Sequence, residues 1–292
     1  MTRVTTATVD EALREAASLL RPHSSTPRLD AEVLLAHVLG TTRATLLANF
    51  QTILNEDILG RFQRLVDRRE QCEPIAYITG HKEFYGLDLL VTPDVLVPRP
   101  ETESLVEACL DLLPRRELSH LADIGTGSGA IACALAVELE GVRLVVGSDR
   151  SGPALEVARA NAARVGARRA AWVVADGLAA FRTGASFDAI VCNPPYVAVT
   201  ERSSLPSEVR DWEPAEALFS GPEGTEAIAR LVRDAPAHLA AGGLLAIEIG
   251  DRQEPAVRRM VEQVEGLELL GEYRDHAGRP RGILALAAGR RA

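Results

Sequence analysis

Lysine is almost missing: Lys82 is the only one among 292 residues, so arginine carries nearly all the positive charge. The chain is acidic overall, with a net charge of −9, and so lacks the broad basic surface that holds duplex nucleic acid by neutralising phosphates. Cysteine is scarce as well. Cys72, Cys109, Cys133 and Cys192 are far apart and form no CxxC or Cys/His cluster, so neither a zinc site nor a disulfide framework is encoded, and no metal is expected. A reducing cytoplasm suits such a chain. Long apolar runs are missing too. The most apolar stretch, Gly129 to Val146, is interrupted by Glu138, Glu140 and Arg143, well short of a membrane span. Met1 to Leu20 carries Asp10, Glu11, Arg14 and Glu15 where a secretion signal needs an unbroken apolar segment, so no membrane association is expected. What remains is 47% apolar and 25% charged, the make-up of a globular protein able to bury a sizeable core.

The texture changes twice along the chain. From Thr8 to about Glu73, Val9, Leu13, Ala16, Ala17 and Leu20, then Leu29, Val33, Leu34, His37 and Val38, recur at helical spacing, and strand signals are absent. Between Pro74 and Pro100 the residues alternate, with Gly and Pro punctuation around Glu83–Leu89 and Val91–Pro93, which predicts a β-hairpin. A helix is expected from Glu101 to about Leu113. Strand candidates then follow at His120–Ile124, Arg143–Ser148, Ala171–Val174, Phe187–Cys192, Gly243–Ile249 and Gly282–Leu286. They alternate with helical periods at Ala130–Leu139, Pro153–Val165, Glu223–Leu239 and Gln253–Val264. This predicts an α/β fold with a doubly wound, mostly parallel sheet, whose ligands bind beyond the carboxyl ends of its strands. The domains are a helical N-terminal one over 1–78, a hairpin connector over 79–100 and an α/β domain over 101–292.

Asp123-Ile124-Gly125-Thr126-Gly127-Ser128-Gly129 leaves the first strand of that domain and enters the helix near Ala130. Glycines let the backbone turn sharply and approach a ligand closely. One strand later comes Asp149, at a tip where a carboxylate accepts both hydroxyl protons of a ribose. Together they mark a nucleoside-type cofactor without choosing it, because Gly125, Gly127 and Ala130 also satisfy the nicotinamide fingerprint. Asp123 shifts the balance. A carboxylate there suits the ammonium and sulfonium of S-adenosylmethionine better than a pyrophosphate.

Asn193-Pro194-Pro195-Tyr196 directly follows the apolar strand Phe187–Cys192, beside the glycine loop. Alone, Asn-Pro-Pro is a common turn. Here it has chemical meaning. An amide or aromatic exocyclic nitrogen is a poor nucleophile because its lone pair is delocalised, so a methyltransferase must orient it rather than simply deprotonate it. If the Asn193 side-chain oxygen and the Pro194 carbonyl each accept one N–H, the nitrogen is aimed in line at a methyl carbon. Proline offers no N–H and fixes φ, which makes the box a stiff array of acceptors. Tyr196 is expected to wall the planar group. A dehydrogenase, or a cofactor-binding protein without catalysis, has no use for such an array. Cys192 is read as a small buried residue and His276 as a surface histidine.

Beyond this core, Tyr77–Gly86, Pro98-Arg99-Pro100-Glu101-Thr102-Glu103, Glu208-Val209-Arg210 with Glu213-Pro214, and Arg274–Arg281 resemble the HemK-type family of peptide chain release factor glutamine methyltransferases over nearly the whole chain. The resemblance implies a Rossmann-like class I S-adenosylmethionine methyltransferase domain, with a helical N-terminal domain that helps dock the release factor. The substrate it implies is the side-chain amide of the glutamine in the Gly-Gly-Gln loop. By the same resemblance Asp123, Gly125, Thr126, Gly127, Ser128, Gly129, Asp149, Asp176, Gly177 and Asn193 hold the cofactor. Asn193, Pro194, Pro195 and Tyr196 hold the glutamine, with Asn193, Pro194 and Tyr196 as catalytic residues. The family often has an aromatic residue where this chain has Gly177, and Gly221–Glu226 also departs from its pattern. A cytoplasmic monomer acting on release factors, without direct nucleic-acid or membrane contact, is expected. The alternatives are a ribosomal-protein glutamine methyltransferase, whose counterpart of Pro98–Glu103 is expected to differ, and an adenine-amino methyltransferase of DNA or RNA.

Overall fold

The computed structural model describes residues 6–113, 118–184 and 186–288, so the domain limits placed at 1 and 292, and the first residues of the Met1 to Leu20 stretch, lie outside the described residues. The chain forms two compact units. One comprises Met1–Gly80 with Pro206–Trp212, the other His81–Leu205 with Glu213–Ala292.

The first unit contains β1 (Ala7–Thr8), α1 (Val9–Leu20), α2 (Pro27–Leu39), α3 (Arg43–Leu47), β2 (Ile53–Leu54), α4 (Glu56–Glu70), α5 (Ile75–Thr79) and α9 (Ser207–Arg210). Helix α1 starts on a capping box: the Thr8 hydroxyl accepts the Glu11 N–H while the Glu11 carboxylate accepts that of Thr8. Its apolar stripe, Val9, Leu13, Ala16 and Leu20, packs with Leu34 and Leu35 of α2 and Phe62 and Val66 of α4 in one core. The antiparallel pair β1–β2 was not expected, because two-residue strands leave no period in a sequence. Buried Arg69 holds the distant segment in place. Its Nε donates to Asp30 Oδ2 at 2.8 Å, its Nη1 to the Glu73 carbonyl at 3.1 Å, and its Nη2 lies 2.7 Å from Glu208 Oε2.

The second unit opens with a hairpin, β3 (His81–Phe84) and β4 (Leu87–Leu90), where the alternating pattern places it. After α6 (Pro100–Leu112) come β5 (His120–Ile124), α7 (Ala130–Glu138), β6 (Leu144–Asp149), α8 (Gly152–Val165), β7 (Ala170–Val174) and β8 (Phe187–Cys192). The chain ends with α10 (Ala215–Leu218), α11 (Glu226–Asp234), β9 (Leu239–Glu248), α12 (Glu254–Glu262), β10 (Leu267–Arg274) and β11 (Pro280–Ala287). The sheet runs β10-β11-β9-β8-β5-β6-β7, parallel from β9 to β7 and antiparallel at β11 and β10. Its strands alternate between faces. Leu121, Ala189, Val191, Leu244 and Ala246 pack with α6 and α7, whereas Ala122, Ile190, Cys192, Leu245 and Ile247 pack with α11 and α12.

Two expectations need correction. The helix expected over Glu223–Leu239 is shorter, since Pro236 lacks an N–H; α11 gives way to a 3₁₀ turn at Ala235–Ala237 and then to β9. Strand β10 had no counterpart among the candidates. A bulge between Leu269 and Gly271 breaks its alternation.

Candidate active site

Strand order reverses between β5 and β8, and there the two motifs meet. Gly125, Gly127 and Gly129 take φ of +71°, +53° and +78°, a left-handed conformation that strains any residue with a Cβ. Crowding adds to the constraint at Gly129, where a Cβ would lie 2.8 Å from Trp172 Cη2. The loop is braced from β6. The N–H groups of Gly125 and Thr126 donate to the Ser148 carbonyl at 2.8 and 2.9 Å, and that of Gly127 to Asp149 Oδ2 at 2.9 Å. Asp149 Oδ1 accepts the Ser151 N–H at 2.9 Å. From behind, buried Asn161 donates to the Ser128 carbonyl at 2.9 Å.

In front of this loop lies a cavity of about 780 Å³, a size suited to a nucleoside-bearing cofactor. Gly125, Gly127, Asp149, Asp176, Gly177, Asn193, Pro194 and Pro195 all line it. Six carboxylates stand in its wall against three arginines, a sign of charge that favours a cationic ligand. Asp123 is not in the wall. It is 0% exposed beneath the loop, where its Oδ2 accepts the Thr126 hydroxyl at 2.5 Å and the Ala132 N–H at 3.1 Å. Burial pushes its carboxyl up to about 7, and its Oδ1 has no hydrogen-bond partner. Asp123 therefore underpins the turn rather than facing a ligand's cationic groups directly. Asp176 is held by Arg230, whose Nη1 and Nη2 donate to its two oxygens at 2.9 and 2.5 Å. A Cβ added at Gly177 would lie 3.5 Å from Arg230 Nη2, so the guanidinium stands beside the position at which an aromatic residue was expected from the resemblance.

The Asn-Pro-Pro-Tyr box leaves the end of β8. Asn193 Nδ2 donates to Thr102 Oγ1 at 3.0 Å, and the side chain lines the cavity. Tyr196 differs from expectation. Its ring is absent from the cavity lining and packs against the core cluster that includes Ile247 and Ile249, with its hydroxyl donating to Glu248 Oε1 at 3.3 Å. The Gln253 side chain holds the backbone after the two prolines by donating to the Tyr196 carbonyl at 2.9 Å. Burial pushes the Tyr196 phenol upward. Two participants were not singled out in the sequence, Thr102 and Glu248. Glu248 does leave a signal, a carboxylate closing the apolar run Leu244–Ile247 of β9. Arg99, from the same Pro98–Glu103 segment as Thr102, donates to buried Glu213 at 2.6 Å, so two of the distinctive segments clasp each other beside the cavity. Cys192 is a small buried residue of the core, and His276 is exposed.

Among the described residues no group of His, Cys, Asp and Glu could hold a metal ion, and no helix is long and apolar enough to cross a membrane. A family model described as the PrmC N-terminal domain matches residues 11–80, and one described as the methyltransferase small domain matches residues 103–206. A crystal structure of a methyltransferase from Pyrococcus furiosus shares the fold, with a TM-score of 0.50 and 21% identity over 70% of this chain and 90% of that one. Fold and site thus define a class I methyltransferase that uses S-adenosylmethionine. Among relatives, the release factor glutamine methyltransferase of Moorella thermoacetica is 44% identical over 280 residues, covering 95% of this chain and 98% of its own. That of Coxiella burnetii is 39% identical over 277 residues, with the same two coverages, 95% and 98%. The chain belongs to the release factor glutamine methyltransferase family.

Proposed function

We propose that this chain methylates the side-chain amide nitrogen of the glutamine in the Gly-Gly-Gln loop of peptide chain release factors, with S-adenosylmethionine as donor. The observation that carries this is the presence of Asn193 and Pro194 on the wall of the same cavity as the glycine loop and Asp149. The cofactor supplies an electrophilic methyl carbon. Gly125 to Gly129, Asp149, Asp176 and Gly177 hold it in this reading, with Asp123 stiffening the loop from beneath. Asn193 Oδ1 and the Pro194 carbonyl each accept one substrate N–H, orienting a nitrogen too weakly nucleophilic to react without alignment. Pro195 keeps the box rigid. Tyr196 acts as a brace through Glu248 instead of as an aromatic wall. The helical domain, with its boundary near residue 78 and the hairpin connector after it, docks the release factor. The protein works as a monomer in the cytoplasm and makes no direct contact with nucleic acid.

The test is transfer of labelled methyl from S-adenosylmethionine by the purified protein. Label is expected on a release factor, and peptide mass spectrometry is expected to place it on the Gly-Gly-Gln glutamine. Label on a ribosomal protein, on nucleic acid, or on none of the three would reject the proposal.

A further inference from the structure

We propose that Glu248 is a positioning residue: by taking the proton of the Thr102 hydroxyl, it dictates which end of the Asn193 amide faces the cavity. The inference rests on the proposed role of Asn193 and adds the cause of its orientation. An asparagine amide is nearly symmetrical in shape and opposite in polarity at its two ends. With Oδ1 toward the cavity, Asn193 accepts a substrate N–H. Turned over, it points two N–H groups at a substrate that also brings N–H groups, and the interaction becomes repulsive. Something must choose between the two.

Three elements converge to make that choice. Thr102 stands in the first turn of α6, Asn193 just past β8, and Glu248 at the end of β9. Thr102 is 4% exposed and Glu248 1%, so water cannot substitute for either as a hydrogen-bond partner. A threonine hydroxyl has one proton to give, and an ionised carboxylate, the form Glu248 takes as pH rises above about 7, can only accept. The Tyr196 hydroxyl donates to Glu248 Oε1 across 3.3 Å, and the Thr102 hydroxyl is the neighbour that, acting as a hydrogen-bond donor, lowers the proton affinity of the same carboxyl. Once its proton is committed to Glu248, Thr102 Oγ1 can only accept, and the partner 3.0 Å away must be the NH₂ end of Asn193. The acceptor end is thereby left for the cavity. A carboxylate is otherwise an unfavourable occupant here: Glu248 Oε2 has no partner, and burial pushes the group up to about 7. Arg281 is the positive charge that favours its ionised form, while Glu101 opposes it.

The arrangement also gives the Pro98–Glu103 segment a mechanical reason. Arg99 anchors the start of α6 on Glu213, and Thr102, in the first turn that follows, meets Asn193. A lone apolar residue at 248 would leave the Thr102 proton free to be donated to Asn193 Oδ1, and the amide would turn over.

The test compares Thr102→Val, Thr102→Ser, Glu248→Met and the Thr102→Val/Glu248→Met pair in the full-length protein, with a release factor and S-adenosylmethionine as substrates. Thr102→Val and Glu248→Met are each expected to lower kcat roughly 10- to 100-fold, while KM for the release factor and cofactor affinity stay within about threefold. Thr102→Ser keeps the hydroxyl and is expected to keep the rate. The paired variant should be no slower than the worse single one, because both changes break one relay. Unchanged kcat, multiplying losses, or cofactor affinity falling in step with kcat would each overturn the inference while transfer by the unaltered protein upholds the broader function. A second measurement needs no turnover. In protein labelled with ¹⁵N-asparagine, the Asn193 side-chain NH₂ should exchange slowly with solvent, protected by Thr102, and Glu248→Met should remove that protection. Equal protection in the two proteins refutes the relay even if no release factor is methylated.

Discussion

Replacing Asp149 tests the cofactor half of the site, and the structure says how severe the loss should be. Each of its oxygens already accepts one backbone N–H, Gly127 on Oδ2 and Ser151 on Oδ1. A carboxylate has about four lone-pair sites, so one remains on each oxygen for a ribose hydroxyl. Hydrogen bonds to a charged acceptor contribute about 1.5–3 kcal/mol each. Water entering a cavity of about 780 Å³ resolvates the freed hydroxyls and places the loss near the low end. Asp149→Ala is therefore expected to cost about 3 kcal/mol, a rise of roughly 150-fold in the dissociation constant for S-adenosylmethionine. Asp149→Asn is expected to be nearly as harmful, although it is isosteric. One of the two backbone N–H groups would then confront an NH₂ group, and the loop at Gly127 or the turn at Ser151 would have to open. Titration calorimetry of the two variants and the parent measures this directly, with thermal unfolding as a check on folding. Binding by Asp149→Asn within about threefold of the parent would refute the assignment of both oxygens as obligatory acceptors.

Further outcomes follow from the same geometry. Asn193→Ala is expected to lower turnover by roughly 100-fold or more while cofactor affinity changes little, because it removes one acceptor aimed at the nucleophile; steady-state kinetics beside calorimetry separates the two, and an equal collapse of both would place Asn193 in the cofactor site alone. Asp123 and Glu248 are both pushed up to about 7 by burial, above their unfolded values, so their contribution to stability is complete below the ordinary carboxylate range and is lost as pH rises through about 7. Thermal unfolding from pH 5 to 8 should show a falling midpoint that Asp123→Asn or Glu248→Gln flattens, and a midpoint rising across that window would contradict the assignment. Gly147→Ala places a Cβ 2.3 Å from Trp172 Cζ3 and 2.5 Å from Cε3, so the indole ring has to shift to admit it. A loss of about 1–3 kcal/mol in denaturant unfolding is expected, with weaker cofactor binding; full stability would show that the ring can shift.

Local chemistry makes much of this molecule legible in its sequence. The glycine loop, Asp149 and the Asn-Pro-Pro turn sit next to strands whose apolar runs announce themselves, so their places at the carboxyl end of a parallel sheet follow from short-range pattern alone. The same holds for the hairpin at 81–90 and for the helical start of the chain. Where short-range pattern fails, the physical reasons are specific. Strand β10 hides its period behind a bulge, and Pro236 cuts a helix that apolar spacing alone would extend. The division of labour among polar groups was beyond the sequence for a different reason. Whether Asp123 faces a ligand or underpins a loop, and whether Tyr196 forms a wall or a brace, depends on burial and direction, which local spacing does not encode. Most of all, Thr102, Asn193 and Glu248 are separated by 91 and 55 positions, from subtracting their residue numbers, and only the folded sheet brings one proton within reach of all three. A hydrogen bond depends on a few tenths of an ångström and on which partner holds the hydrogen, and such distances exist only once the chain has closed on itself.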